Sequence, residues 1–282
     1  MPSVILTQAI AMLERRGFTV SSGIAEEELR APDRLLPEHD LYVLKSHTEL
    51  AVSLAGVLHD RGARFLNPYR ACASVQNKIV AASRLAEAGV PLPRSWVTGD
   101  FSLLRELAAA MPLIIKPYRG HRGAGIHLIR SSAELSRLPP QEQPMLVQQF
   151  IQGTGQDLKV YVVGDKVFAV RKPFSAASFA TPGEPCEVSP LVQEIALRCG
   201  RIFGLGLYGI DIIENDAGPV VVDLNYFPGY KGVPDVAALL ARYIEDFALG
   251  RTTLPDNPPP LVTPRALSRN DEAFLPAASS VG

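Results

Sequence analysis

Three oxygen-bearing side chains are spaced for metal chemistry. The segment Val220-Val-Val-Asp223-Leu-Asn225-Tyr-Phe-Pro-Gly229 runs from β-branched residues into a carboxylate, an amide two residues later and a Pro-Gly turn. Side chains alternate in face along a strand, so Asp223 and Asn225 point the same way. Asp211 stands in a second apolar run, Tyr208–Ile213, and Asn215-Asp-Ala-Gly218 between the two predicts a hairpin that sets Asp211 beside Asp223. Two acids on neighbouring apolar strands repel unless a cation lies between them. Asp211, Asp223 and Asn225 form a hard-oxygen set that suits Mg²⁺, with Mn²⁺ as a substitute. Two blander readings stand beside this one: the acids face water, or they pair with lysines.

Lys116 ends the apolar run Leu113–Ile115 and precedes the loop Arg119-Gly120-His121-Arg122-Gly123-Ala124-Gly125. The ammonium supplies charge, and glycines let backbone N–H groups approach an anion, which suits nucleotide phosphates. A helix does not follow, so the pattern is neither a dinucleotide fingerprint nor a P-loop. A flap with Gly120, Gly123 and Gly125 over phosphates is expected; the bland reading is a surface turn. Leu146–Ile151 is an apolar strand running into the polar connector Gln152–Gln156. Alone it reads as core. Lying between the flap and the metal strands, it reads as a hinge for adenine, with Gln148, Phe150 and Ile151 offering backbone groups. Lys45, Lys78, Arg119, His121, Arg122, Lys159, Arg171 and Lys172 are scattered cations that act together only if the fold gathers them.

The elements that must position these residues alternate. Helices are expected over Ile5–Leu13 (capped by Ser3, with a strand at Val4–Leu6 as the alternative), Glu49–Arg61, Val75–Ala88, Phe101–Ala110, Pro190–Phe203 and Val236–Leu249. Strands are expected at Phe18–Val20, Leu41–Leu44, Ser95–Val97, Leu113–Lys116, Gly125–Ile129 and Met145–Phe150. Hairpins join Lys159–Val163 to Val167–Arg171 and Tyr208–Ile213 to Val220–Leu224. This pattern predicts an α/β (α+β) chain in three parts. Residues 1–74 form a small parallel α/β domain, and residues 75–250 the main domain, flap-bearing to about 147 and metal-bearing from 148. Residues 251–282 form a Pro-rich tail expected to be disordered.

Composition narrows the function classes. With 28 basic and 29 acidic residues the chain has no global attraction for nucleic acid or an anionic membrane surface. Hydrophobic residues at 47% support a sizeable core. Cys72, Cys186 and Cys199 follow no metal or disulfide spacing, which fits a reducing, cytoplasmic setting. The N-terminus lacks a signal-peptide pattern, and no run reaches the roughly 18 apolar residues of a membrane span. A small polyanionic substrate and a monomer or weak oligomer are expected.

Taken in chain order, Lys78, Lys116 with its flap, the hinge Gln148–Ile151, Asp211 and Asp223-x-Asn225 resemble the ATP-grasp superfamily. That resemblance implies two α+β subdomains clamping Mg-ATP. Within it, four segments resemble the inositol-trisphosphate 5/6-kinase (inositol-tetrakisphosphate 1-kinase) family: Asp40–Lys45, Val147–Gly164, Leu207–Asp211 and Asp223–Val233. The resemblance implies that Lys45 and Lys159 bind substrate phosphates, that Asn225 and Gly229 touch substrate, and that Arg119, His121 and Arg122 grip the acceptor. It assigns Lys78, Lys116, the flap glycines, the hinge and Lys172 to ATP, with Lys116, Lys159 and Asp223 closest to the transferred phosphate. The short, glycine-rich flap is instead similar to that of ribosomal-protein glutamate ligases. The expectation is therefore phosphoryl transfer from Mg-ATP to an acceptor such as an inositol phosphate. A carboxylate–amine ligase acting through an acyl-phosphate is the alternative, and a non-catalytic nucleotide-binding module with a docking tail is a third reading.

Overall fold

The computed structural model describes residues 3–120, 124–139, 141–173 and 182–255. The tail from 256 onward, and His121, Arg122 and Gly123 of the flap, lie outside the described residues.

The N-terminal part contains α1 (Val4–Arg15), β1 (Tyr42–Val43), α2 (Glu49–Asp60), β2 (Phe65–Leu66) and α3 (Tyr69–Gln76). Ser3 caps α1 by accepting from the Leu6 N–H, so helix wins over the strand alternative. The parallel pairing is confined to two residues of β1 on two of β2. Phe18–Val20, expected as a strand, is irregular; α1 instead packs on the last helix, and no neighbouring strand offers these residues a ladder among those described.

Val75–Ala88, expected as one helix, is split. The α3 helix ends at Asn77, whose extended backbone (ψ 97°) starts α4 (Lys78–Glu87), while its side-chain oxygen accepts from the N–H groups of Ile79 and Val80. Asn prefers this capping role to a helix interior. The break sets Lys78 at the first position of α4, facing the cleft described below.

A four-stranded antiparallel sheet follows, in the order β3 (Ser95–Thr98), β6 (Met145–Gln149), β4 (Leu113–Pro117), β5 (His127–Ile129). The helices α5 (Arg105–Ala110) and α6 (Ser132–Leu135) cover it. Leu104, Leu107, Leu113, Ile115, Ile129, Met145 and Val147 form its own core, separate from the main one.

The second sheet has the order β11 (Gly218–Tyr226), β10 (Leu207–Asn215), β7 (Gln156–Val163), β8 (Lys166–Pro173), β9 (Glu184–Cys186), all antiparallel. Leu158, Val160, Val162, Ile210 and Ile212 alternate onto one buried face. Against that face lie α7 (Pro190–Phe203) and α8 (Val236–Ala248), with apolar stripes through Val192, Ile195, Cys199 and Phe203 and through Leu240, Ile244 and Phe247. Each large aliphatic or aromatic side chain so buried contributes roughly 1.5–3 kcal/mol. The opposite face carries the polar residues of interest.

Asn67 joins the N-terminal part to this sheet. It is fully buried; its Nδ2 donates to the Leu207 carbonyl at 2.6 Å, and its Oδ1 accepts from the N–H groups of Gly206 and Leu207 at 2.8 and 2.9 Å. Its side chain thus satisfies the Gly206 and Leu207 N–H groups at the start of β10 and adds a second donor to the Leu207 carbonyl, which also accepts from the Phe227 N–H. The sequence marks Asn67-Pro68 only as a turn. Asn67→Ala leaves the Gly206 and Leu207 N–H groups without this acceptor in the interior and is expected to cost about 2–3 kcal/mol, read as a fall in the urea midpoint at unchanged slope.

Candidate functional site

The site follows from strand register. Asp211 and Asp223 stand directly opposite each other on β10 and β11, and Asp211 also pairs with Lys159 on β7. Asn225 lies two residues past Asp223, on the same face. Asp157, two residues before Lys159, stands opposite Lys172. One face of the sheet therefore carries two acids and an amide at one edge and a mixed charged pair further across.

Like charges directly opposed across strands are unfavourable, and here lysines neutralise them. Lys78 Nζ lies 2.7 Å from Asp223 Oδ1, and Lys159 Nζ lies 2.6 Å from Asp211 Oδ2. Of the two blander readings offered by the sequence, pairing with lysines is the one seen. Asn225 Nδ2 donates to the other Asp223 oxygen at 3.3 Å. Burial pushes the Asp223 carboxyl up, but Lys78, Lys116 and the hydrogen bonds from Lys78 and Asn225 outweigh it and hold the pKa below the ordinary value. Burial likewise pushes Lys159 down, while Asp211, Asp157 and Asp223 together raise it above the usual lysine value.

Lys116 reaches in from the other sheet. A register shift at Asp211/Ile212 leaves Val222 without a partner on β10, and the Val222 carbonyl accepts from Lys116 Nζ at 2.9 Å. Such bulges re-aim backbone next to functional sites. Lys116 is 8% exposed. Its pKa falls from 10.5 to about 8, chiefly through burial, with Lys78 and Lys159 adding repulsion and Asp223 and Asp211 opposing it.

A cavity between α4, β6 and β11 is lined by Val75, Lys78, Leu85, Leu146, Gln148, Val222 and Asp223. Gln148 is buried and its Nε2 donates to Ser95 Oγ at 3.3 Å. Of the expected hinge groups, the Phe150 N–H is already donated to the Pro112 carbonyl at 2.9 Å. Gly125 has φ +71° and would bring a Cβ within 2.8 Å of Pro117 Cγ, so the flap requires glycine there. Gly120 faces no comparable crowding.

The acceptor-side expectations fare differently. Lys45 Nζ donates to the Phe227 carbonyl at 2.8 Å and lies 5.3 Å from the centre of the Phe227 ring. That is a contact to the protein's own loop at residue 227. Arg119 pairs with Glu49 Oε2 at 2.6 Å and covers the Tyr118 ring, tying the flap base to α2. Gly229 meets nothing closer than Lys231 Cγ at 3.8 Å, so no local crowding demands glycine. Lys172 is 3% exposed, lowered by burial and then by Lys159 and Lys231. Asp157 and Lys231 went unnoticed in the sequence. Asp157 was legible, lying two residues from Lys159 on the same strand; Lys231 was not, because a loop brings it to Lys172.

Residues fit for Mg²⁺ are thus present. Asp211, Asp223 and Asn225 are hard donors on one face, at a place where positive charge is already required. Three lysines around them suit nucleotide phosphates. Two sheets facing each other across such a set form the ATP-grasp fold. A family model for the RimK-like ATP-grasp domain matches residues 75–244, and the chain belongs to that family.

A probable alpha-L-glutamate ligase of Stutzerimonas stutzeri (strain A1501) is 31% identical over 208 residues, 64% of this chain and 66% of the relative. The match therefore spans just under two thirds of that relative's length. A RimK domain protein ATP-grasp from Sphaerobacter thermophilus DSM 20745 superposes with a TM-score of 0.74 at 20% identity, covering 89% of this chain and 97% of the other. The ATP-grasp ligase PsnB, solved with a phosphomimetic variant of its minimal precursor, Mg and ADP, gives 0.61 at 22% identity over 86% and 94%. These superpositions establish the fold. The inositol-kinase resemblance has no counterpart among these matches. Among the described residues no helix is long and apolar enough to cross a membrane.

Two outcomes are expected. Asp223→Ala should lower ATP turnover by about a hundredfold or more, as loss of one electrostatic group at a reacting centre does, with an unchanged circular dichroism spectrum; native turnover in the variant removes Asp223 from the site. The second concerns pH. Lys116 has a folded pKa near 8 against 10.5 unfolded. Between those values the unfolded chain holds more protons, so this group makes stability rise with pH, by a total on the order of 3 kcal/mol. Lys116→Met should flatten that rise in denaturant titrations run from pH 7.5 to 10.5.

Proposed function

We propose that the chain is an ATP-dependent carboxylate–amine ligase working through an acyl-phosphate. This replaces the phosphoryl transfer to a polyol expected from the sequence. The observation that supports it is the opposed Asp211/Asp223 pair ringed by Lys78, Lys116 and Lys159, within a segment matched to the RimK-like family, whose relatives are named as ligases.

In this reading Lys78 and Lys116 hold nucleotide phosphates, and Lys159 steadies the transferred group. Mg²⁺ held by Asp211, Asp223 and Asn225 would neutralise charge between the phosphates. A substrate carboxylate oxygen attacks the γ-phosphorus and ADP leaves. An amine then attacks the acyl carbon, inorganic phosphate departs, and the amine gives up a proton as the amide forms. Lys116, with its lowered pKa, balances phosphate charge without a general base, in line with the loose character of phosphoryl transfer.

Hydroxylamine tests this reading by intercepting an acyl-phosphate. With Mg-ATP and a panel of amino-acid carboxylates, the expected result is carboxylate-dependent ADP release, one phosphate per ADP, and a ferric-reactive hydroxamate. ADP accompanied by a phosphorylated polyol and no free phosphate would return the reading to a kinase.

A further inference from the structure

The loop that follows the metal-facing strand is strained, and the N-terminal part restrains it. Phe227 has φ +43° and Tyr230 φ +51°, both buried aromatic residues in the left-handed region. Such a conformation is disfavoured for residues other than glycine and persists only when its surroundings fix it. Glycine would adopt it freely; phenylalanine and tyrosine do not.

The restraints can be traced. The Phe227 N–H donates to the Leu207 carbonyl at 2.8 Å, which ties the end of β11 to the start of β10. The Phe227 carbonyl accepts from Lys45 Nζ at 2.8 Å, and the ring lies under the same ammonium. Tyr226 OH donates to the Ser46 carbonyl at 2.7 Å, and its ring stacks on His47 at 4.1 Å between centroids. Gln76 Nε2 in turn donates to the His47 carbonyl at 2.8 Å, anchoring the 45–47 segment to α3. Asn225 immediately precedes this restrained pair and shares a strand with Asp223.

We propose that Lys45 is a positioning residue for the metal site: through the Phe227 carbonyl, residues 45–47 hold the 226–230 loop in its strained course and so fix Asn225 and Asp223 facing Asp211. Lys45 does this without touching metal or substrate. The inference rests on the metal role of Asp211, Asp223 and Asn225. Without the ammonium, Phe227 relaxes toward negative φ and draws Tyr226 and Asn225 with it. Groups that orient a metal ligand typically carry about 10–100-fold in metal affinity.

The test is Mn²⁺ binding to the full chain with saturating ADP, followed by electron paramagnetic resonance, with ADP affinity measured separately without metal. Lys45→Met is expected to weaken Mn²⁺ about tenfold and leave metal-free ADP affinity within twofold. Lys45→Arg, which keeps a cationic donor, should recover most of the loss. Tyr226→Phe removes the Ser46 bond without changing charge. It should weaken Mn²⁺ in the same direction by several fold, and it decides the matter if Lys45→Met does not fold. Native Mn²⁺ affinity in folded Lys45→Met with only the acceptor KM raised overturns the proposal in favour of direct acceptor binding, as does native affinity in Tyr226→Phe. Mn²⁺ binding that is absent in the native chain, or intact in Asp223→Ala, overturns the metal reading and this inference with it.

Discussion

Two carboxylates placed face to face on adjacent strands set the terms for everything around them. Asp211 and Asp223 occupy directly opposed positions in an otherwise apolar hairpin, where their mutual repulsion would weaken the pairing. The molecule answers with cations from three separate elements: Lys159 on the next strand, Lys78 at the start of α4 and Lys116 from the other sheet. Each arrives from a different stretch of chain, so the charge balance at one point joins the fold's principal parts. Lys116 shows the cost of the arrangement. It is buried among other lysines and loses part of its proton affinity there. A protein built for stability alone would do better with apolar residues at these positions. The retained charges are therefore best understood as a site prepared for phosphate and metal, in which ion pairs between protein groups can be exchanged for ion pairs with a ligand.

The N-terminal part has a structural relation to this site that its small sheet does not convey. Asn67 satisfies the backbone at the start of β10, and Lys45 holds the carbonyl just past the end of β11. Leu207 lies between them, since its carbonyl accepts from both Asn67 and Phe227. The open end of the hairpin bearing the acids is thus closed by residues far away in sequence. A hairpin's register is ordinarily set by its turn and its apolar pattern. Here the end remote from the turn at Asn215–Gly218 is fixed as well, which limits how far Asp211 and Asp223 can drift relative to one another.

How much of this was legible in the sequence depends on whether the determining contacts were local. The placement of the acids and the amide was legible because strand periodicity and a short turn dictate which side chains share a face; that of Lys159 opposite Asp211 was not, because it follows from a strand pairing across 52 positions. Helices with a capping residue and an apolar stripe, such as α7 with Ser189 and Val192–Phe203, were legible for the same reason. The break at Asn77 was missed because helical residues on both sides mask a cap in the middle. The two strands of the N-terminal sheet are so short that propensity says little about them, and Phe18–Val20 has strand-forming residues without a neighbour to pair with. Lys45 was visible as a notable cation, but its contact with Phe227 was not: that interaction spans 182 positions and depends on a loop whose φ values no propensity anticipates. Lys231 was hidden by the same loop.

The separation of the two cores bears on how the cleft can work. The flap-bearing sheet buries its own apolar cluster, distinct from the one that runs from Ala9 to Phe247. Between them the described polar contacts include the Lys116 bond to Val222 and the bond from the Lys78 N–H to the Tyr118 carbonyl, with Leu146 and Leu85 meeting in the cavity. Polar contacts of this kind between parts with separate cores permit relative motion. In the proposed reading the Lys116 ammonium, one member of this junction, also meets a nucleotide phosphate. A phosphate bound at Lys116 would therefore compete with the Val222 carbonyl for the same ammonium, so that the site's chemistry and the contact between the two sheets draw on one side chain.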